Sequence, residues 1–271
     1  MTEGVVLGRT GLRVHQAGLG CGGHSRLGQG RGASVDDSIA VVRRALELGV
    51  NFIDTATVYG TEEIVGKALA GRRDAAVLST KALAHRRKGR VTGAELGVRV
   101  EKSLKRLGTD RIDVFHLHAV PEKDYDYCLS ELVPVMLRMR EQGKIRFLGI
   151  TENFRSDTGH AMFAVRRALA RPRQLAKLMR SLRREGQIPD DVFDRRDPLG
   201  FLVREGGAAS VIEAAYRFCR HEPGVHVVLT GTGDLAHLEQ NVASIERGPL
   251  RTADLRRLEE IFGAVDSVSG N

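Results

Sequence analysis

The chain alternates short apolar runs with amphipathic helical stretches. That rhythm restricts it to folds built from strand-helix-strand units around a parallel sheet. VHQAGLG (Val14 to Gly20) precedes a helical pattern from Asp36 to Leu48, and VNFIDTA follows it. Next come a helix from Glu62 to Ala70, the strand AAVLSTK, a helix carrying Leu96, Val100, Leu104 and Leu107, and the strand DVFHLHA. A helix with Leu129, Leu132, Val133, Met136 and Leu137 on its apolar side leads through Gly143 to IRFLGIT. Consecutive strand-helix steps joined by short turns favour an eight-stranded (β/α)8 TIM-type barrel, an α/β fold, over an open sheet. Ser34 is a good N-cap for the first helix, and Gly49 ends it. The opening VVLGRTGLRV reads as an N-terminal β-hairpin turning at Arg9, Thr10 and Gly11.

The rhythm then stops. From Glu152 to Gly224 the best strand candidate is GFLV, Gly200 to Val203, which is short and flanked by charge. Helical patterns fill the interval at Ala161 to Leu169, Gln174 to Glu185 and Ala208 to Arg220. VHVVLTGT (Val225 to Thr232) is the sixth and last clear strand, followed by a helix from Leu235 to Ile245 and a tail from Thr252 to Phe262. Six strands are recognisable where a complete barrel needs eight, so the expectation is an incomplete barrel within a single domain, residues 1–271.

Composition excludes several classes. The 271 residues are 28% charged and 42% hydrophobic, a balance that buries a sizeable core and argues against disorder. No apolar run approaches the roughly 18 residues of a bilayer span, and the N-terminus lacks a basic region followed by an apolar one, so the expected location is cytoplasmic and no membrane partner is expected. Cys21, Cys128 and Cys219 are odd in number and far apart, which fits reduced thiols. The net charge of +8 suits an anionic cofactor, and nucleic acid is not the expected partner. Arg166, Arg167, Arg171, Arg173, Lys177, Arg180, Arg183 and Arg184 crowd one stretch, read as a solvated helical face.

Active sites of parallel barrels lie at the C-terminal ends of the strands. Asp54 ends the second strand with Tyr59 in the loop beyond, Lys81 ends the third, and His116 and His118 share one side of the fourth. Together these types suit reduction of a carbonyl. Oxygen that gains negative charge needs a proton donor within hydrogen-bond distance. A phenol, with an ordinary pKa of about 10, needs a neighbouring ammonium to stabilise its anion, and a carboxylate holds the ammonium in place. Tyr59, Lys81 and Asp54 fit those roles, and His118 fits a group that orients the substrate oxygen. His116 is read as an inward-facing core histidine. The His-x-His spacing also occurs in metallohydrolases, but no further ligands at later strand ends accompany it, so no metal is expected.

FIDTATVYG, LSTK and DVFHLHAV, at the ends of successive strands, resemble the aldo-keto reductase family over Gly4 to about Phe163 and again over Ala208 to Ile245. The resemblance implies an oxidoreductase that reduces an aldehyde or ketone, or oxidises the corresponding alcohol, by hydride transfer from NADP or NAD. It makes Asp54, Tyr59, Lys81 and His118 the catalytic set. It also implies cofactor contacts at Gly20, Cys21, Thr151, Glu152, Thr230, Gly231, Thr232, Gly233, His237, Gln240 and Asn241. Three departures stand out. His237 occupies the position where relatives that prefer the 2′-phosphorylated dinucleotide carry an arginine. Thr151 and Glu152 replace a serine and an asparagine. After Phe163 about two strand-helix steps that the resemblance implies are absent. Open sheet edges there suggest self-association, and an alternative reading is a catalytically degenerate barrel that acts as an interaction protein. The loops Cys21 to Gly32, His85 to Arg90 and Val120 to Tyr127 shape the substrate site, and their polar content favours a hydroxylated carbonyl or alcohol.

Overall fold

The computed structural model describes residues 4–86, 89–152, 179–189, 194 and 196–265. The chain divides into two compact units, Met1–Asn153 with Leu229–Val242, and Phe154–Val228 with Ala243–Asn271.

The first unit opens with the expected hairpin, in which β1 (Val5–Val6) pairs antiparallel with β2 (Arg13–Val14). Thr10 closes its turn: the hydroxyl donates to Leu7 O at 2.6 Å and accepts from Leu12 N at 3.1 Å. The six strands expected from the alternation then form one sheet. They are β3 (Ala17–Gly20), β4 (Phe52–Asp54), β5 (Val77–Leu83), β6 (Ile112–Val120), β7 (Ile145–Glu152) and β8 (Val228–Thr230). Their order is β7-β6-β5-β4-β3-β8, with parallel pairing from β3 through to β7.

Local rules explain the connecting helices. α1 (Val35–Glu47) begins with a capping box in which the Ser34 hydroxyl accepts from Asp37 N and the Asp37 carboxylate accepts from Ser34 N. Thr92 and Glu95 repeat that device at α3 (Gly93–Leu107), which Gly108 ends in a left-handed conformation. Between them α2 (Glu62–Leu69) buries Ile64, Val65, Ala68 and Leu69. After β6, α4 (Val133–Glu141) returns the chain to β7. The central strands β4 and β5 are almost wholly buried, as expected for a parallel sheet covered on both faces. The outermost strands differ, with Ile150 of β7 37% exposed and Leu229 of β8 46% exposed.

The second unit has its own core. Helices α5 (Phe201–Arg204), α6 (Val211–Arg220) and α8 (Thr252–Phe262) bring together Phe201, Leu202, Ala214, Leu258 and Phe262, with Met179 and Leu182 beside them. α7 (Leu235–Ile245) lies between α6 and α8 in the sequence. GFLV is therefore not a strand. Arg204 N bonds to Gly200 O at 2.9 Å, and adjacent Phe201 and Leu202 are both buried, a helical rather than an alternating pattern. The strand expected over Val225 to Thr232 is confined to β8, because a turn bonds Val225 N to Glu222 O. The helical patterns at Ala161 to Leu169 and at the start of Gln174 to Glu185, with most of the basic stretch, lie outside the described residues. Among the described residues no helix is long and apolar enough to cross a membrane.

Candidate active site

Strand register stacks the chemistry-bearing side chains in rows, since laterally paired residues of parallel strands face the same way. One row runs Gly20, Asp54, Ser79, Val114 and Phe147. The next holds Lys81, His116 and Gly149, and above it Leu83 pairs with His118. Residues scattered over Gly20 to Gly149 in sequence thus converge because strand register aligns them across the sheet.

At the centre Lys81 Nζ donates to Asp54 Oδ2 at 2.5 Å and to Thr55 O at 3.0 Å. Ser79 Oγ donates to Asp54 Oδ1 at 2.7 Å. Both charges are buried, yet each is paired and further hydrogen-bonded, the condition under which a buried ion pair is tolerated. Tyr59 sits in the tight loop after β4, where its N–H bonds to Ala56 O and Thr57 N bonds to Lys81 O. Its ring centroid is 5.1 Å from Lys81 Nζ and 5.7 Å from the His118 ring, which meets it edge-on at 89°. Gly22 leaves room for the ring: a Cβ there would lie 2.4 Å from Tyr59 Cε2.

Burial, and then the nearby Lys81 ammonium, push His118 down to about 4, so the imidazole is neutral at pH 7. Burial likewise holds His116 at about 4, and its ring lies where a Cβ on Gly149 would fall. The Nδ1 atoms of both rings are buried without hydrogen-bond partners. Below pH 6.5 the unfolded chain binds protons that these folded imidazoles refuse, so stability falls as the pH drops toward about 4 and is unaffected by them above 6.5. Urea midpoints at pH 7 and pH 5 should therefore diverge less in His116→Gln than in the parent protein. Equal divergence would show that His116 is not shielded as described.

The structure gathers a second cluster around the loop between β8 and α7. Cys21 N bonds to Asp54 O, and Thr61 Oγ1 donates to Cys21 O at 3.1 Å. Burial pushes the Cys21 thiol far up, which makes it an inert packing group. Gly231 lies close to Gly20, and Gly233 packs on the backbone of Gly28, where a Cβ would approach Gly28 Cα to 2.2 Å. Asn241 Nδ2 donates to Thr230 Oγ1 at 2.9 Å, while Thr232 Oγ1 accepts from Asp234 N at 3.1 Å. His237 and Gln240 are exposed on α7. Thr151 does not stand free: its Oγ1 accepts from Ala119 N at 2.8 Å, and Glu152 ends β7.

Several participants escaped the sequence reading. Ser79 was signalled only by its place two residues before Lys81 on the same strand face, and Gly22 carried no signal beyond its loop. Asp234 had one. It is an N-cap type just before a helix, and its carboxylate accepts from His237 N at 2.8 Å, which holds it below the usual carboxylate range. A separate concavity of about 500 Å³ lies at the C-terminal ends of α2 and α3, lined in part by Lys67 and Lys105, and contains none of the residues above. Lysines at helix C-termini offset the helix dipole, which is role enough. Among the described residues no three His, Cys, Asp or Glu side chains are placed to hold a metal.

Comparison with known proteins places these features. The chain is 35% identical over 152 residues to L-galactose dehydrogenase of Arabidopsis thaliana, covering 54% of this chain and 47% of that protein. It is 36% identical over 155 residues to an aldo-keto reductase of Bacillus subtilis, covering 52% and 44%. The chain therefore spans about half the length of the curated relatives it matches. Among solved structures, the holo form of an aldo-keto reductase from Bacillus halodurans superimposes with a TM-score of 0.68 at 22% identity, over 98% of each chain. An aldo-keto reductase of Klebsiella pneumoniae in complex with NADPH gives 0.63 at 22% identity, over 96% and 95%. These likenesses establish the fold, a (β/α) barrel of which six strands are described here. The sequence profile described as "Aldo/keto reductase family" matches residues 19–169, more than half of the chain, and the protein belongs to that family.

Proposed function

We propose that the protein is an NAD(P)-dependent oxidoreductase that interconverts a carbonyl and its alcohol, with Tyr59 as the proton donor. One observation carries the reading: a buried, hydrogen-bonded Lys81–Asp54 pair lies against the Tyr59 ring, with a neutral imidazole on the ring's other neighbour, His118. The ammonium stabilises negative charge that develops on the phenol oxygen as its proton leaves, in a site where burial strengthens the interaction. Asp54 and Thr55 O accept from that ammonium and keep it in place, and Ser79 holds the Asp54 carboxylate by donating to its other oxygen. Neutral His118 can donate one hydrogen bond to the substrate oxygen without placing a second positive charge beside Lys81. A bound nicotinamide dinucleotide would supply the hydride. The names of the relatives support this reading, one being a dehydrogenase of a sugar and another solved with NADPH.

Among the residues expected to hold the cofactor, the glycines of the loop before α7 fit that group. Gly231 and Gly233 present bare backbone beside Gly20 and Gly28 at the start of α7, a place that suits phosphate oxygens. The adenosine end is less suited to a 2′-phosphate, because Asp234 puts a carboxylate there and His237 replaces a guanidinium. Replacing His237 with Arg should tighten NADPH binding about tenfold, a gain typical of a charge-assisted hydrogen bond, with little effect on NADH. Equal changes for both cofactors would remove this residue from the 2′-phosphate site. The chain has no tryptophan, so titration of NADPH and NADH by cofactor fluorescence is clean. Saturable binding of one of them and turnover of a carbonyl are the expected results, and binding of neither would overturn the enzyme reading.

One observation favours a second reading. Among the described residues β7 and β8 are the outermost strands and expose Ile150 and Leu229, which suits a degenerate barrel that binds another protein or a second copy through its sheet edges. Light scattering that shows a monomer at all concentrations would exclude self-association.

A further inference from the structure

We infer that Thr151, beyond any contact with cofactor, is the positioning residue that holds His118 against Tyr59 by pinning a strained turn of backbone between them. The inference rests on the proposed oxidoreductase reading for its kinetic consequences, though not for its structural ones.

Regular pairing of β6 with β7 ends at Leu117↔Ile150, and resumes with a register shift at Val120↔Glu152. His118 and Ala119 occupy the bulge between. Ala119 has φ of +51°, a left-handed conformation that a residue with a Cβ seldom adopts. Such positions persist only where neighbouring structure overdetermines them. What determines this one is visible: the Ala119 N–H, taken out of the ladder by the bulge, finds its acceptor in Thr151 Oγ1 at 2.8 Å. Bulges redirect a side chain, and the side chain redirected here is that of His118.

Among the described residues no hydrogen bond tethers the ring itself. His118 Nδ1 is buried without a partner, and its close ring neighbour is Tyr59, met edge to face. The direction of the imidazole is therefore set by the backbone on which it sits, and that backbone by the Thr151 hydroxyl. Because a hydroxyl accepts through its oxygen while still donating its proton, Thr151 can satisfy Ala119 and offer an O–H to a second group at the same time. Valine has the same shape but no acceptor, whereas serine keeps the acceptor. Glycine at position 119 would adopt φ near +51° without strain and so keep the bulge with less help.

The test compares Thr151→Ser, Thr151→Val and Thr151→Val combined with Ala119→Gly. The first readout needs no activity: ring nitrogen and carbon resonances of the histidines in the protein without cofactor. Thr151→Val should shift or broaden His118 while Thr151→Ser leaves it in place, and Ala119→Gly should restore much of the parent signal in the double variant. An unmoved His118 in Thr151→Val would overturn the inference. The second readout is kinetic. With cofactor saturating, Thr151→Val should lower kcat about 10- to 100-fold, the scale of a misplaced catalytic group. Ala119→Gly should recover most of that loss of kcat. A loss confined to cofactor affinity, with kcat intact and no recovery from Ala119→Gly, would also overturn it. If the parent protein turns over no carbonyl, the oxidoreductase reading fails and the resonances still decide the role of Thr151.

Discussion

Replacing Tyr59 with phenylalanine should lower kcat by about 10²- to 10⁴-fold, the range associated with a positioned general acid, while the dissociation constant for cofactor stays within about threefold. The substitution removes one oxygen and leaves the ring, which fills the space over Gly22 and meets His118 edge-on. Packing should therefore survive, and the loss should be of proton transfer alone. Steady-state kinetics beside a fluorescence titration separate the two effects. Activity that persists in Tyr59→Phe would assign the proton to another group. Weakened cofactor binding with unchanged kcat would make Tyr59 a binding residue.

The second large effect concerns stability. Lys81→Met should destabilise the folded chain by about 3–5 kcal/mol, because it leaves the Asp54 carboxylate buried with its charge uncompensated. The pair is buried and its distance is 2.5 Å, so water cannot take the place of the missing ammonium without opening the site. Removing both charges, with Asp54→Asn and Lys81→Met together, should cost less than Lys81→Met alone, since no lone charge then remains. Urea unfolding of the parent and the two variants gives the comparison directly. A single variant within about 1 kcal/mol of the parent would show that the site admits water and that the ion pair is worth no more than a surface one. Both variants are expected to be inactive, so kinetics alone cannot distinguish a lost catalytic group from an unfolded site. The unfolding curves can.

These two expectations bear on different parts of one arrangement. Tyr59 is half-exposed on a loop, whereas Lys81 and Asp54 are buried on adjacent strands. The sheet places them one pleat apart: Asp54 pairs with Ser79, and Lys81 is two residues beyond, on the same face. The loop residue proposed as proton donor thus rests on a charge pair fixed by strand register, where a one-residue slip would turn Lys81 out of the site.

The amino-acid sequence by itself determined the rhythm of strands and helices, the capping of α1, and the four residues of the proposed tetrad. Each of these is local: hydrophobic period, an N-cap serine, and polar residues at strand ends are all written within a few neighbouring positions. It also determined that only six strands are recognisable, because a buried parallel strand needs an apolar run that the stretch after Glu152 does not provide outside Val225 to Thr232. The tertiary structure decided what depends on pairing between distant segments. The GFLV segment became helix because burial of two adjacent side chains outweighed their strand propensity. Ser79 joined the charge pair through register, and Gly233 met Gly28 backbone to backbone. Ala119 and Thr151, 32 residues apart, came together only because β6 carries a bulge where it passes β7. Such contacts have no signature in the sequence, since each partner taken alone is an ordinary small residue and the geometry that gives it meaning belongs to the sheet.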